Sequence, residues 1–192
     1  KPTKGIFPAI IIATFFGFKD KPSIIRKNRN SVAVLSNNET KEQLEALSND
    51  IFRYYGLGCR NVSKLFVPTD YNFDAFFNAV YKWNPIINEA KYANNYDYNK
   101  AVYLMSEFDM LENGFLMIKE DESYASPIAT LFFEHYDSTS SLQQKLAIDK
   151  DKIQCVVAND FSDSEIAFGK TQNPQLTEYA DNVDTLEFLL KI

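Results

Sequence analysis

The sequence predicts an α/β domain with helices packed on a sheet, and three observations lead to that prediction. Short apolar runs of strand length alternate along the chain with segments whose apolar residues recur at helical spacing. The run Ala9–Thr14 is almost entirely apolar, as in a parallel strand that is buried on both faces. The chain has 192 residues, of which 45% are hydrophobic, which is enough for one domain with a sizeable core.

Six segments are predicted to form the strands of the sheet. Each is a short run rich in aliphatic or aromatic residues, as strands of an α/β domain require. The segments are Ala9–Thr14, Ser31–Leu35, Leu65–Val67, Phe115–Ile118, Ile128–Phe133 and Ile153–Val157. Cys155 lies within the last of them, and this apolar setting indicates an inert core thiol.

The clearest helix begins at Thr40, which forms a capping-box pattern with Gln43 and is followed by apolar residues at helical spacing. Gly56 is expected to end this helix, because glycine readily adopts the left-handed conformation of a C-terminal cap. Further helices are predicted after a cap at Asp70, over Tyr98–Phe108 with Asn95 as the cap, and over Ser141–Ala147.

The composition argues against several classes of function. A net charge of −6 and a sequence pI of about 4.9 disfavour nucleic acid as the main partner. A single histidine makes a metal site unexpected, and two cysteines in unlike surroundings do not suggest a disulfide framework. The longest apolar stretch, Ile6–Phe16, contains Pro8 and is shorter than the roughly 20 residues of a membrane-spanning helix. These features predict a cytoplasmic protein without a metal site or a transmembrane segment.

Cys59 is the residue that points most directly to chemistry. It follows Gly56 and Gly58, which let the backbone bend sharply and let a substrate approach closely. Arg60 and Lys64 would favour the thiolate, which is the nucleophilic form of cysteine. The residues alone leave two interpretations open, a catalytic thiol and an ordinary loop cysteine.

Three segments of the chain resemble one protein family. They are the run Ile24–Leu35, the block Tyr55–Pro68 and the polar, aromatic run Asn94–Lys100. Together they are similar to the acyl-CoA reductases related to the fatty-acid reductase of bacterial bioluminescence, in their Bacteroidetes-type form, within the aldehyde dehydrogenase superfamily. The resemblance implies an aldehyde-dehydrogenase-like catalytic (thiol) domain over residues 26–192. It also implies that residues 1–25 are a remnant of the nucleotide-binding domain.

The family resemblance implies the reduction of a fatty acyl-CoA to the aldehyde, with Cys59 carrying the acyl group as a thioester. It implies NADPH as the cofactor, with NADH as the alternative, fatty acyl-CoA as the partner and self-association as a homodimer. Two rival functions belong to other classes. One is a cysteine acyltransferase or thioesterase that only forms the acyl-enzyme, and the other is a non-catalytic acyl- or protein-binding module with the same fold.

The resemblance also assigns weaker roles to residues before and after Cys59. Asn28 and Arg29 stand where ordinary aldehyde dehydrogenases have a glycine-rich stretch with a glutamate that activates water. No glutamate stands in this stretch, which suits an enzyme that must not hydrolyse its acyl-enzyme. Asn28, Arg29, Arg60 and Asn61 are therefore candidate substrate- and CoA-binding residues, with a phosphate contact as the chemical reason. A solvated basic loop is the alternative for the stretch before the first strand.

Glu120 and Glu122 are candidate cofactor-binding residues. The segment Glu122–Pro127 is similar to a superfamily segment whose glutamate holds the nicotinamide ribose, although its spacing is one residue longer. The alternative is that both are surface carboxylates. Asn94–Lys100 also has two interpretations, packing at the start of a helix and lining of an acyl or CoA channel. His135 is interpreted as a strand-edge or surface histidine rather than a catalytic base.

The junction after Thr14 departs from the family pattern. In the family, a strand like Ile10–Thr14 leads into a Gly-Ser turn and a helix that serve the nucleotide, but here Phe15 follows directly. A natural truncation and a sequence that joins segments across missing residues are both open. The second is favoured because a parallel sheet needs a crossover connection between its strands.

Overall fold

The computed structural model describes residues 21–24, 28–162, 165–176, 178–179 and 183–191. The predicted strand Ala9–Thr14 and the junction after Thr14 lie outside these residues. The chain divides into two compact units, one of residues 29–173 and one of residues 1–28 with 174–192. The predicted domain boundary at residue 25 stays a prediction, because most of the segment before it lies outside the described residues.

Within the described ranges, residues 29–173 form a six-stranded sheet flanked by helices. The strands are β1 (Asn30–Val34), β2 (Val62–Pro68), β3 (Met110–Glu112), β4 (Met117–Glu120), β5 (Thr130–Tyr136) and β6 (Ile153–Val157). The α-helices are α1 (Lys41–Phe52), α2 (Asp74–Val80), α3 (Ala90–Met105), α4 (Thr139–Ile148) and, in the other unit, α5 (Thr185–Leu190). Short 3-10 segments cover Arg53–Gly56, Tyr81–Asn88 and Lys150–Lys152. Among the described residues, no helix combines the length and the apolar character that crossing a membrane requires.

The strand order across the sheet is β3-β4-β5-β2-β1-β6. β1 pairs in parallel with β2 and β6, and β5 pairs in parallel with β2 and β4. β3 is the antiparallel strand at one edge. Because neighbouring parallel strands must be joined by crossover segments, the connections run over the faces of the sheet, where α1 to α4 lie. The predicted α/β fold class is confirmed.

The strongest local signals in the sequence place their elements correctly. The hydroxyl of Thr40 accepts the backbone N–H of Gln43 at 3.3 Å, and the Gln43 side chain accepts the backbone N–H of Thr40 at 2.8 Å. The predicted capping box is therefore present at the start of α1. Cys155 lies in β6 and is 5% exposed, so the prediction of a core thiol is confirmed.

The prediction that a helix begins near Tyr98 with Asn95 as its cap is wrong. α3 begins at Ala90, and Asn95 lies inside it, where its side-chain amide donates to a carbonyl of the preceding turn at 2.7 Å. Tyr92 and Tyr96 are buried at helical spacing, so the buried face of the helix starts well before Tyr98. The polar residues between these tyrosines face outward. In the sequence, such a polar stretch is typical of a loop, which is why the sequence pattern places the helix start too late.

Two smaller differences involve exposed segments. α2 begins at Asp74, whose backbone N–H donates to the Asn72 side chain at 2.8 Å, so Asp70 is not its cap. The sequence pattern gives no strand at Met110–Glu112, where the structure has β3. This strand is short and mostly exposed at the sheet edge, so it lacks the apolar run that marks the inner strands.

Two apolar cores flank the sheet, because successive side chains of a strand point to opposite faces. Leu65 and Val67 of β2 belong to the larger core, together with buried residues of α1, α2 and α3. Phe66 belongs to the smaller core, where it meets Tyr124 and Leu142 of α4. Tyr124 lies on the segment that connects β4 to β5, which therefore covers this second face.

Lys64 is a charged residue that is buried on the face of the sheet covered by the smaller core. Its side chain is fully buried, and its ammonium group donates to the carboxylate of Glu134 at 2.7 Å. Glu134 also pairs with Lys145 of α4. The three charges therefore join the central strands β2 and β5 to the helix that covers them.

The two central partners of this network have pKa shifts with different causes. Burial lowers the pKa of Lys64, although the contact with Glu134 favours its charged form. Burial alone would raise the pKa of Glu134, but hydrogen bonds from Lys145 and Lys64 outweigh it and hold that pKa below its usual value. Glu134 is therefore the partner whose charge the fold requires.

Replacing Glu134 by glutamine is expected to lower the free energy of unfolding at neutral pH by about 3 kcal/mol, because the buried Lys64 ammonium loses its counter-ion. The unsubstituted protein should also lose stability in acid. Since the pKa of Glu134 is lowered in the folded state, its contribution is complete above the ordinary carboxyl pKa and is lost as the pH falls through the lowered value. Urea unfolding at neutral pH and along an acid series measures both effects.

The matched control is Lys41→Gln, which breaks an exposed ion pair with Glu45 at 3.7 Å. This change should alter the free energy of unfolding by less than about 0.5 kcal/mol. A Glu134→Gln protein that is as stable as the control would contradict the role assigned to the network.

Candidate functional site

Cys59 lies at the outside of a tight turn directly before β2. The backbone N–H of Asn61 donates to the carbonyl of Gly58 at 3.0 Å, which closes a four-residue β-turn with Cys59 at its second position. The hydroxyl of Ser31, at the start of β1, donates to the carbonyl of Cys59 at 2.9 Å. The side chain of Cys59 is exposed, whereas Cys155 is buried. The structure therefore presents one fixed, accessible thiol at the amino ends of β1 and β2.

The side-chain amide of Asn61 joins this turn to the end of α1. Its oxygen accepts the backbone N–H of Gly58 at 2.9 Å, and its nitrogen donates to the carbonyls of Asp50 and Arg53, each at 2.9 Å. Asn61 is only 2% exposed. The last carbonyls of a helix lack partners within the helix, so Asn61 satisfies carbonyls at the end of α1 while it holds the turn.

The segment between α1 and the turn has a left-handed backbone. The prediction that Gly56 ends the helix is wrong in position, because α1 ends at Phe52 and Tyr54, Tyr55 and Gly56 then have φ values of 55°, 60° and 72°. A non-glycine residue in this conformation costs about 1–2 kcal/mol. The hydrogen bonds of Asn61 offset this cost, because they fix the chain immediately before and after the left-handed segment.

Gly58 is required by close approach rather than by its φ angle. A Cβ atom at this position would lie 2.8 Å from the side-chain oxygen of Asn61. The same oxygen accepts the backbone N–H of Gly58, so the two residues are in direct contact. The sequence predicts a sharp turn at the glycine before Cys59. In the structure, this glycine leaves room for the side chain of Asn61.

A second set of hydrogen bonds attaches the turn to a segment far along the chain. The side chain of Arg60 donates to the carbonyl of Thr171 at 2.5 Å. The hydroxyl and the backbone N–H of Thr171 both donate to the carboxylate of Asp50, at 2.8 and 3.1 Å, and the N–H of Gly169 donates to the same carboxylate at 2.5 Å. We call the bonded residues Asp50, Arg60 and Thr171 the clamp. Because Asp50 lies near the end of α1, the clamp holds the turn against the same end of α1 that Asn61 contacts.

Asp50 is 1% exposed, and burial raises the pKa of its carboxyl even though the hydrogen bonds from Gly169 and Thr171 act in the opposite direction. Asp50 and Thr171 are not among the residues predicted from the sequence. An acidic residue beside the apolar face of a predicted helix is the signal that could have drawn attention to Asp50. No local pattern identifies Thr171 as its partner.

The two cations expected to favour the thiolate are engaged elsewhere. Arg60 donates to Thr171, as described, and the ammonium of Lys64 binds Glu134 and the carbonyl of Glu122 at 2.8 Å. Lys64 therefore stabilises the fold behind the turn. Asn61, predicted as a substrate-binding residue, is buried, and its amide binds backbone groups. Its contact with a substrate stays a prediction.

Arg29 is the predicted substrate-binding residue that the structure leaves with an unused donor. It directly precedes β1, close in sequence to Ser31, which binds Cys59. Its Nε atom is buried and has no hydrogen-bond partner among the described residues. A buried donor without a partner is costly, so a ligand atom that accepts from it would be stabilising. Asn28, its exposed neighbour, falls in the other compact unit.

The two candidate cofactor residues lie apart from the hydrogen-bonded turn. Glu120 ends β4 and is exposed, and it is in register with Phe133, which pairs with Leu65. Two strand spacings, about 10 Å, therefore separate Glu120 from β2. Glu122 is also exposed, and its carbonyl binds Lys64. Their role in cofactor binding stays a prediction.

His135 is distant from the thiol. It is in register with Val67 near the carboxyl end of β2, whereas Cys59 precedes the amino end of that strand. A strand rises about 3.3 Å per residue, so roughly 16 Å separates the levels of Val62 and Val67. The Nδ1 atom of His135 lies 3.0 Å from the carbonyl oxygen of Pro68, to which it donates. This position agrees with the interpretation that His135 is not the catalytic base.

Solved aldehyde dehydrogenases match part of the chain. An NAD-dependent aldehyde dehydrogenase from Sinorhizobium meliloti is 10% identical, with a TM-score of 0.48, over 95% of this chain and 40% of that one. The aldehyde dehydrogenase KauB from Pseudomonas aeruginosa is 12% identical, with a TM-score of 0.47, over 69% and 33% of the two chains. The indole-3-acetaldehyde dehydrogenase AldA of P. syringae, solved with NAD+ and IAA, is 10% identical, with a TM-score of 0.46, over 69% and 33%.

The chain spans from 33% to 40% of the length of these three structures. No protein-family model matches the chain, and a search of curated proteins gives no match either.

Replacing Asn61 by alanine is expected to lower the free energy of unfolding by about 2–4 kcal/mol, because several buried backbone groups lose their partner and each costs about 1–3 kcal/mol. Urea unfolding measures this change. The matched control is Asn78→Ala on the exposed side of α2, which should have an effect below about 0.5 kcal/mol. Equal stabilities of the two variants would contradict the central position of Asn61.

Proposed function

We propose that Cys59 is the nucleophile of an acyl-CoA reductase, which takes the acyl group from a fatty acyl-CoA and releases it as the aldehyde after reduction with NADPH. The observation that carries the proposal is the exposed thiol of Cys59 on a turn fixed by Ser31 and Asn61. The resemblance of the residues around Cys59 to the acyl-CoA reductases supplies the reaction. A fixed turn favours catalysis, because a nucleophile that is already oriented loses little freedom when it attacks.

The first step is an exchange of thioesters. The sulfur of Cys59 attacks the acyl carbonyl carbon, the bond from that carbon to the CoA sulfur breaks, and CoA leaves as its thiolate. The tetrahedral intermediate carries a negative oxygen, and the backbone N–H of Cys59 is the donor proposed to stabilise it. Because one thioester replaces another, this step is nearly balanced in free energy and needs no external energy source.

The residues before β1 fit a site that protects the thioester from water. Asn28, Arg29, Asn30 and Ser31 include no carboxylate that could act as a general base toward a water molecule. The unpartnered Nε of Arg29 suits an anionic or carbonyl oxygen of the substrate, such as a phosphate of CoA. Asn28, Arg60 and Asn61 are the other substrate-binding residues that we propose from the family resemblance.

NADPH, when bound, would supply the hydride that brings the thioester to the aldehyde level. Glu120 and Glu122 are the residues of this chain proposed to hold it, because an exposed carboxylate can accept hydrogen bonds from ribose hydroxyls. The proposed contribution of Cys59 is to hold the acyl group in place until reduction and then to leave as the thiolate when the carbonyl of the aldehyde forms.

Replacing Cys59 by alanine is expected to reduce aldehyde formation from tetradecanoyl-CoA and NADPH by at least about 10³-fold, because the reaction loses its nucleophile. The fold should be retained, since the side chain is exposed. Replacing the buried Cys155 by alanine is the matched control and should leave turnover largely unchanged. The measurement is aldehyde production by the full-length protein.

Unchanged turnover in the Cys59→Ala protein would contradict the assignment. Rapid release of free fatty acid by the unsubstituted protein, without any aldehyde, would instead favour a thioesterase that uses the same cysteine.

A further inference from the structure

A pocket of about 500 Å³ opens beside the Cys59 turn, between the left-handed segment and the start of α3. Its lining is largely apolar and includes Tyr55, Leu57, Tyr92 and Ile128. Sites that bind small molecules are typically mostly apolar clefts of roughly 300–1,000 Å³, and this pocket has that size and character. Asn94 and Asn95 also line it, and they belong to the run Asn94–Lys100, for which the sequence left open the lining of an acyl or CoA channel.

The inner wall of the pocket is fixed by hydrogen bonds. Tyr92 is 3% exposed, and its hydroxyl donates to the carbonyl of Phe115 at 3.0 Å. The carbonyl of Ile128 accepts the side-chain amide of Asn99, from α3, at 2.9 Å. These contacts hold α3 and the segment before β5 in place, so the pocket exists without a ligand to form it.

The outer wall belongs to the segment that leads to Cys59. Leu57 and Tyr55 are 66% and 44% exposed, which leaves apolar surface uncovered beside the thiol. Consecutive Cα atoms are 3.8 Å apart, so the Cα atoms of Leu57 and Cys59 are separated by no more than roughly 7.6 Å. A hydrocarbon chain attached to the sulfur of Cys59 would reach this wall within a few carbon atoms.

We propose that this pocket binds the hydrocarbon chain of the acyl group carried by Cys59, an inference that rests on the proposed function. A fatty acyl chain is apolar, flexible and continuous with the reacting carbonyl, and it would cover the surfaces of Leu57 and Tyr55 that water otherwise contacts. Glu89 and Lys91, which are exposed residues of the lining, supply a polar margin. The pocket therefore selects long acyl groups over short ones.

The test fills the pocket and compares acyl chain lengths. Ala90, the first residue of α3, is an exposed residue of the lining, so Ala90→Trp places a large side chain in the pocket without disturbing the buried face of the helix. The rate of Cys59 acylation is measured with tetradecanoyl-CoA and with butanoyl-CoA, without NADPH. Since each methylene that loses its burial costs about fourfold, the rate with tetradecanoyl-CoA should fall by about tenfold or more. The rate with butanoyl-CoA should change less than about twofold.

The matched control is Leu104→Trp, near the other end of α3, where the side chain is 59% exposed and does not line the pocket. It should acylate at the unsubstituted rate with both thioesters. Asn94→Trp, at a second exposed position of the lining, repeats the test independently of the helix start. The pocket does not hold the acyl chain if both pocket variants react with tetradecanoyl-CoA at the unsubstituted rate. The same conclusion follows if their acylation rates with the two thioesters fall by the same factor.

Failure of the proposed function has a different signature. If neither thioester acylates Cys59 in the unsubstituted protein, the nucleophile assignment is wrong. Calorimetric binding of tetradecanoate to the Cys59→Ser protein then tests, independently of acylation, whether the pocket binds a hydrocarbon chain. Binding that Ala90→Trp abolishes and Leu104→Trp preserves supports a hydrocarbon site, and the absence of binding overturns it.

Discussion

The buried side-chain amide of Asn61 is the contact on which the candidate site depends. One amide accepts from the turn that carries Cys59 and donates to carbonyls at and after the end of α1. Those bonds help to offset the cost of the left-handed backbone at Tyr54 and Tyr55, because each residue is in a conformation that side chains disfavour. The exposed thiol therefore owes its fixed position to a residue that lies under the turn.

The rest of the structure supports this contact from two sides. The clamp of Asp50, Arg60 and Thr171 ties the same turn to the segment after β6 through the carboxyl group of Asp50, whose pKa is raised by burial. Beneath the turn, the ion pair between Lys64 and Glu134 joins β2 to β5 within the second core. The turn that carries Cys59 is therefore held by several buried polar contacts. Strain and buried polar groups of this kind are typical of functional sites.

Features that depend on neighbours in sequence could be predicted, and features that depend on distant residues could not. The capping box of α1, the turn at Cys59 and the core position of Cys155 follow from local residue types. α3 starts earlier than predicted, because its tyrosines pack into a core formed by other elements while its outward face is polar. The contact between Asp50 and Thr171 joins segments that are far apart in the chain, and a single sequence carries no local signal for such a pair. The sequence left open that Asn94–Lys100 lines an acyl or CoA channel, but it could not give the pocket itself, because the walls come from three separate segments.

Intact-protein mass spectrometry of the full-length protein, after incubation with tetradecanoyl-CoA in the absence of NADPH, is the most direct test of Cys59 as the nucleophile. One tetradecanoyl group per chain is expected, and digestion should place it on the peptide that contains Cys59. Hydroxylamine should remove it, because the bond is a thioester. An unmodified protein, or an adduct on Cys155 or on a lysine, would contradict the claim that Cys59 is the acyl-accepting nucleophile.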